Sequence, residues 1–524
     1  MSAGDGPPPD VLVVGAGGAG APLAARLSED PGRRVLLVEA GAAPRHPSDF
    51  APELLDARLV PGARPGHPGS VPYPAHLTPE RPYTVVRGRF LGGSTTVNGG
   101  YFLRARRADF DRWAAAAGPA WSWDRVLPLL RRLETDLDFG ATAVHGGAGP
   151  VRVRRPRLDH PAAEAFRAAA AELGHPEEPD KNDQGPPGFG PVPSNAVDGV
   201  RINTALAYLL GAPPRPNLTV LGGATVLRVL VAGGHATGVE IARGDHREIL
   251  RAGEVVLCAG AFATPQLLQL SGIGPRAELE RHGIPVVLDA PGVGARFSDH
   301  PQIVVEWTPA RRMPPPGDNW LAGALHLTSD GGGAGGDVEI LQSLVPMAGL
   351  VAGEYDLPGA PLPFLVSVQT PVARGSLRLA SADPAVTPRV DYGYLATDGD
   401  RRRLREAVRA AAGLIRTRAF RSLAAGPPGH GPDALRGVLD DDRALDAWVR
   451  ERLGTSVHAC GTVPMGPADD PGAVVDQYGR VRGVRGLRVA DTSILPTAPL
   501  RGPAATAVLI GEVVAQAMRG GPGA

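Results

Sequence analysis

The sequence predicts a fold of the α/β class, α+β overall. One parallel sheet is gathered from distant parts of the chain, and a second sheet-and-helix unit is inserted between those parts. Three observations predict it. Residues 10–41 run as apolar stretch, glycine turn, Ala/Leu-rich helical stretch and second apolar stretch. From Leu218 to Ala261 the chain turns to short β-rich runs broken by glycines, followed by a helical stretch. Near the end, "VRGLRVADTSILP" and "AATAVLIGEVVAQAM" give strand, loop and helix again.

The first element, "DVLVVGAGGAGAPLAARLSEDPGRRVLLVEAG", is a βαβ unit of about thirty residues. Gly15, Gly17 and Gly20 form GxGxxG between strand and helix. The first glycine permits the tight turn, the second lets a pyrophosphate approach the backbone, and the third lets helix pack on strand. Glu39 closes the second apolar run, where a carboxylate accepts hydrogen bonds from ribose hydroxyls. Together these predict a Rossmann-type dinucleotide site without separating NAD from FAD. Pro22 falls early in the helix, where its missing N–H costs little.

After Gly41 the chain reads as loop up to Arg87. "DFDRWAAAAG" and "WSWDRVLPLLRRLETDL" read as amphipathic helices. "LTVLGG", "VLRVLVAGG", "ATGVEIA" and "EVVLCAGA" read as strands, and "ATPQLLQLSGIG" as a helix with a glycine stop. Residues 300–450 mix both patterns around "DGGGAGG", which reads as a flexible surface loop. The opening "MSAGDGPPPD" reads as a disordered tip.

Composition excludes several classes. At 524 residues the chain exceeds one ordinary core, so two or more units are expected. Lys+Arg 54 balances Asp+Glu 54, leaving no net field for nucleic acid or an anionic membrane. Lys181 is the only lysine; every other basic residue is Arg. Cys258 sits in a buried-strand pattern, and with Cys460 as the only other cysteine, neither a disulfide framework nor a zinc cluster is expected, so no metal is. The N-terminus lacks a signal-peptide pattern, and no apolar run reaches ~18 residues. A cytoplasmic protein without a transmembrane segment is expected, with peripheral membrane contact left open.

"RGRFLGGSTTVNGGYF" (Arg87–Phe102) is too glycine-rich for a helix and lacks a strand's alternation. Backbone must bend sharply there, or lie close against something. The stretch through Ala105 and Asp111 resembles the first signature of the glucose–methanol–choline (GMC) oxidoreductases. "GAFATPQLLQLSGIGP" (Gly260–Pro275) is similar to their second signature. "PGVGARFSDH" (Pro291–His300), "VHACGTVPMG" and "VVDQYGRVRGVRGLRVADTSILPT" are also family-like, so the resemblance spans about residues 10–520.

The resemblance implies FAD. It places cofactor contacts on Gly92, Ser94, Asn98 and Gly99, on the Val226 backbone beside the adenine, and on Asp491 beside the pyrophosphate and ribityl chain. Some family members attach FAD through a His at the Val97 position. Val has no nucleophile, so non-covalent FAD is expected. The FAD-binding domain should comprise 8–150, 200–300 and 475–520, and the substrate-binding domain 151–199 and 301–474.

Oxidising an alcohol requires removal of the hydroxyl proton, a task for a neutral His near pH 7. His458 falls on the family's first active-site His. The family's second, His or Asn, falls on Gly502, and no His or Asn occurs from Thr497 to Ala507. Either Arg501 turns inward, where a fixed cation would stabilise an alkoxide without being a base, or one imidazole suffices. The implied activity is oxidation of a CH–OH donor with hydride transfer to flavin, as a dehydrogenase with a non-oxygen acceptor. Small-alcohol oxidase, hydroxynitrile lyase and non-catalytic flavoprotein are alternatives on the same fold. "GGSTTVNGGYF", "ETDLDF" and "RGPAATAVLIGE" resemble the mycofactocin-associated subgroup. Its implied substrate is the reduced form of that peptide-derived redox carrier, with electrons passed toward respiration.

Overall fold

The apolar run Val11–Val14 is a strand with all four residues buried, as is Val35–Val38. Fully buried parallel strands carry apolar residues on both faces, which is why these runs do not alternate. In the computed structural model, which describes residues 7–64, 66–333, 335–353, 359–425, 435 and 437–520, they lie at the centre of a five-stranded sheet. Its order is Leu218–Leu221, Val35–Val38, Val11–Val14, Glu254–Leu257, Leu487–Val489, with every pair parallel. The tip at residues 1–6 lies outside the described residues.

The helix Gly20–Leu27 packs against the helix Ala504–Arg519. Their approach needs a glycine: a Cβ on Gly511 would lie 2.3 Å from the Ala19 carbonyl oxygen. Thr225–Ala232, His235–Arg243 and His246–Arg251 form an antiparallel meander whose first strand packs on the helix Gly260–Leu270.

A second core surrounds a six-stranded antiparallel sheet, ordered Gly454–Thr455, Pro301–Trp307, Leu362–Val368, Val338–Ser343, Leu321–Leu327, Phe189–Pro191. The helices Asp398–Arg416 and Pro161–Glu172 pack against it. No helix among the described residues is long and apolar enough to cross a membrane.

The structure departs from the sequence expectations in three places. The supposed loop before Arg87 contains a hairpin, Ser70–Thr78 with Arg81–Gly88. Pro72, Pro74 and Pro82 disguise it, and proline is tolerated because the hairpin's other neighbour, Arg389–Asp391, pairs only at Ala75 and His76. The helix beginning at Trp123 stops at Leu133, and Glu134–Asp136 becomes a strand paired with Val151–Val153. "DGGGAGG" is exposed at its start but buried at its last residue, Gly336, and an arginine donates to the carbonyls of Gly335 and Gly336; Ala334 lies outside the described residues.

Candidate active site and cofactor cleft

The glycine motif has the geometry its sequence implies. Gly15 has φ +96°, and a Cβ there would lie 2.6 Å from the Cys258 carbonyl oxygen. A Cβ on Gly20 would lie 1.9 Å from the Gly15 oxygen, so helix and turn touch backbone to backbone. Gly17 is open: the nearest atom to a Cβ there is Gly93 Cα at 3.7 Å. The second glycine-rich segment therefore lies directly on the first, and the Gly92 amide donates to the Ala16 carbonyl at 2.8 Å.

Glu39 ends its strand with its carboxylate buried. Its two oxygens accept from the amides of Ala16 at 2.9 Å and Gly41 at 2.8 Å. Burial raises its pKa against those hydrogen bonds. The Ala224 amide donates to the Glu39 carbonyl at 3.0 Å, bringing the strand that begins at Thr225, with half-buried Val226, to the same end of the sheet. Asp491 joins the later motifs. It accepts from the Gly260 amide at 2.9 Å, the Thr264 hydroxyl at 2.6 Å and the Ser493 amide at 2.8 Å.

Ser94 and Asn98 close local turns, accepting from the amides of Gly88 and Gly100, both at 3.1 Å. Gly99 lies under Trp320: a Cβ would meet the indole at 2.6 Å, and the indole N–H donates to the Gly99 carbonyl at 2.8 Å. The cleft fits a dinucleotide. The backbone at Gly17 can be approached closely, a carboxylate closes the neighbouring strand, and the buried Asn203 Nδ2 beside Gly92 lacks a partner among the described residues.

His458 is built into a strained corner. Val457 before it has φ +61°, a left-handed conformation that a β-branched residue adopts only when held there. Three hydrogen bonds hold it. Arg87 donates to the Val457 carbonyl at 2.9 Å, the Val457 amide donates to Thr455 Oγ1 at 3.1 Å, and the His458 amide donates to Asp299 Oδ1 at 2.7 Å. The same Asp299 oxygen accepts the His300 amide at 2.6 Å. One carboxylate oxygen thus gathers the backbones of two histidines, whose rings meet with Nδ1 to Nδ1 at 2.9 Å.

His300 and Asp299 were not singled out in the sequence, although "FSDH" lay inside a family-like segment. One Nδ1 must donate and the other accept. If His458 donates, its Nε2 keeps a free lone pair and His300 carries its proton on Nε2. Burial pushes His458 down to about 4 and His300 down to about 3, the latter helped by the facing ring. Both are neutral at neutral pH, which suits a base. Burial pushes Asp299 up to about 7.

The position expected to carry the second polar side chain, Gly502, is beside His458. A Cβ there would lie 3.0 Å from His458 Nε2 and 3.0 Å from Tyr101 Cε1. Tyr101 therefore occupies the space beside His458 that a larger residue would need. Arg501 does turn inward and is fully buried, so it is no solvated loop residue. It donates to the carbonyls of Leu500 at 2.6 Å, Gly336 at 2.9 Å and Gly335 at 3.2 Å.

The chain matches the family models described as GMC oxidoreductase over residues 10–302 and 371–511. It is 41% identical to an uncharacterized GMC-type oxidoreductase of Rhodococcus erythropolis over 96% of this chain and 97% of that protein. It is 35% identical to an oxygen-dependent choline dehydrogenase of Yersinia pseudotuberculosis, over 98% and 94% respectively. Among solved structures it superposes on pyridoxine 4-oxidase from Mesorbium loti with a TM-score of 0.89 at 29% identity, covering 98% of this chain and 99% of that one. Formate oxidase of Aspergillus oryzae gives 0.88 at 25%, covering 99% of each. Fold, cleft and relatives agree: the chain belongs to the GMC oxidoreductases, FAD enzymes that act on CH–OH donors.

Proposed function

We propose that the enzyme is a dehydrogenase that oxidises reduced mycofactocin and passes the electrons to an acceptor other than oxygen. The likeness of "GGSTTVNGGYF", "ETDLDF" and "RGPAATAVLIGE" to that subgroup supports the substrate. The observation that carries the chemistry is the neutral His300–His458 pair, with His458 Nε2 beside the space at Gly502.

In this proposal FAD is held without a covalent bond by Gly15, Gly17, Gly20, Glu39, Gly92, Ser94, Asn98, Gly99, Val226 and Asp491, and supplies the hydride acceptor. Residues 8–150, 200–300 and 475–520 bind it, and 151–199 with 301–474 bind the donor. His458 Nε2 takes the hydroxyl proton as the C–H bond breaks. Its Nδ1–H stays on His300, which fixes the ring while the charge forms. Asp299 keeps the two rings in register. Arg501 adds a fixed positive charge that supports a developing alkoxide.

Anaerobic mixing with reduced mycofactocin should bleach the flavin, and air should restore it only slowly, with one peroxide per flavin released over that slow phase. Rapid peroxide formation would favour the second reading, a small-alcohol oxidase, which the oxidase names of both structural neighbours support. Flavin left yellow by the reduced carrier but bleached by simple alcohols would remove the carrier from the proposal. Flavin that stays with the acid-precipitated chain would overturn non-covalent binding.

A further inference from the structure

The only lysine in the chain is buried, and its surroundings explain why it is not another arginine. Lys181 Nζ donates to Glu178 Oε2 at 2.7 Å, to the Gly188 carbonyl at 3.0 Å and to His326 Nδ1 at 3.1 Å. Three acceptors meet the three protons of one ammonium group. A planar guanidinium is larger and has the wrong donor geometry for this fully enclosed point.

The third contact sets a chain of protons. Nδ1 of His326 faces both the ammonium and, at 3.3 Å, Glu178 Oε2; in the tautomer that receives the ammonium's hydrogen bond, His326 carries its own proton on Nε2. That nitrogen meets Glu339 Oε2 at 2.9 Å. The same Glu339 oxygen accepts the Tyr101 hydroxyl at 2.6 Å. Tyr101 lies with its ring centroid 6.5 Å from that of His458, and both approach the Gly502 position. With its proton committed to Glu339, the Tyr101 oxygen can only accept a further hydrogen bond. The Gly502 amide faces it as such a donor.

We propose that Glu339 is the countercharge for the imidazolium formed on His458, that Tyr101 ties its carboxylate to the His458 side of the cleft, and that Lys181 is the positioning residue that holds Glu339 in this role through His326. This rests on His458 as the base. When the substrate O–H bond breaks, the new N–H bond forms at His458 Nε2 and points toward the oxygen the proton came from, while Tyr101 beside it keeps its own proton on Glu339. No net proton leaves the site in this step.

The electrostatics agree with the geometry. Glu339 raises the proton affinity of both His458 and His300, opposing their burial. Burial would raise the pKa of Glu339 itself, but His326, Tyr101 and Arg501 outweigh it and hold the carboxylate ionised. Burial pushes Lys181 down to about 8 against the pull of Glu178. The charged and titratable groups around Lys181 are Glu178, His326, Arg501 and Glu339, and those around His458 are His300, Asp299, Arg87, Tyr101 and Glu339.

The test reads flavin reduction against pH in FAD-loaded protein, with Lys181 watched directly. A single lysine gives a single resonance in protein grown on lysine labelled with ¹³C at the ε carbon. In the wild type that resonance should titrate near 8, and in Glu339→Gln its midpoint should fall. A wild-type midpoint at the ordinary lysine value would overturn the enclosed ammonium. Glu339→Gln should slow reduction about tenfold and move the acid limb about one unit lower, because losing the carboxylate disfavours the imidazolium. Tyr101→Phe should do the same without removing a charge from the network. If either variant keeps FAD and leaves rate and limb unchanged, the countercharge assignment is wrong. Lys181→Met should shift the limb in the same direction. If it fails to fold, the wild-type resonance and Tyr101→Phe still decide. Wild-type reduction by His458→Ala is a separate outcome, which removes the base.

Discussion

His145 and His458 show how the same side chain becomes a pin in one place and a base in another. His145 Nδ1 meets Glu134 at 2.9 Å and Asp136 at 3.1 Å, and its Nε2 meets Asp180 at 2.7 Å. Burial would lower its pKa, but hydrogen bonds to Asp136, Asp180 and Glu134 lift it to about 10. Arg104 on Glu134 and Arg155 on Asp136 and Asp180 balance the remaining charge. The ligand-type atoms of Glu134, Asp136 and His145 lie within 4.8 Å of one another, but an imidazolium flanked by two arginines takes the place a cation would need. Among the described residues, the hydrogen bond on the His458 ring comes from another neutral imidazole, with no carboxylate in direct contact. Carboxylate contacts keep a histidine cationic at neutral pH; burial against a neutral partner keeps it free to take a proton.

Replacing His458 should give the largest effect. His458→Ala should keep FAD and slow anaerobic flavin reduction by ~10²–10⁴-fold, about 3–5 kcal/mol of barrier. Because its pKa is lowered to about 4, the base is neutral above that pH. Wild-type reduction should therefore rise with pH through the region of 4 and level off, and stopped-flow traces of the variant should lack that limb. An unchanged rate in His458→Ala would end the comparison.

His145→Gln should instead act on stability. Removing the cation leaves buried carboxylates under-compensated, a loss of roughly 3–5 kcal/mol. Denaturant unfolding should show it, while the folded fraction reduces its flavin at close to the wild-type rate. The sign with pH follows from the raised pKa: the His145 contribution is full below about 6.5 and fades as pH rises through about 10.

Asp299→Asn tests the tie between the two rings. Its pKa is raised to about 7, so wild-type stability is highest with the acid protonated and falls as pH rises from about 4 through 7. The amide keeps an acceptor for both histidine amides but does not ionise. Above pH 7 the variant should gain on the wild type by up to about 4 kcal/mol, three units at 1.36 kcal/mol each. Parallel unfolding curves at pH 5 and 8 that show no such divergence would mean that Asp299 ionises freely.

Gly502→Ala should give the smallest effect. Its Cβ would press on His458 and Tyr101, both at 3.0 Å, and a few tenths of an ångström of adjustment relieves it. Reduction should slow by about tenfold or less, with FAD content unchanged by absorbance.

Legibility in the sequence followed the range of the interactions. Gly15, Gly17, Gly20 and Glu39 obey steric rules within one βαβ unit, and the structure places them as that unit requires. The His300–His458 pair joins residues 158 apart. It exists because Pro301 pairs with Thr455 and Ser298 with Cys460 across strands. No local pattern encodes that register. Tyr101 was visible only as an aromatic in a glycine-rich run, and Lys181 only as an oddity of composition. Their meaning comes from Glu339 and His326, which stand on strands read merely as mixed pattern.

The order of strands in the five-stranded sheet has a consequence for synthesis. Val11–Val14 and Val35–Val38 leave the ribosome first, Glu254–Leu257 much later, and the outer strand Leu487–Val489 almost at the end. At 5–20 residues per second the earliest strands wait on the order of tens of seconds for the last one. Until it arrives, Glu254–Leu257 presents an unpaired edge, the kind of surface on which nascent chains stick to one another. Asp491, two residues past that strand, comes into place only then. Cofactor capture is therefore expected as a late event, after Leu487–Val489 has closed that edge and brought Asp491 beside Gly260 and Thr264.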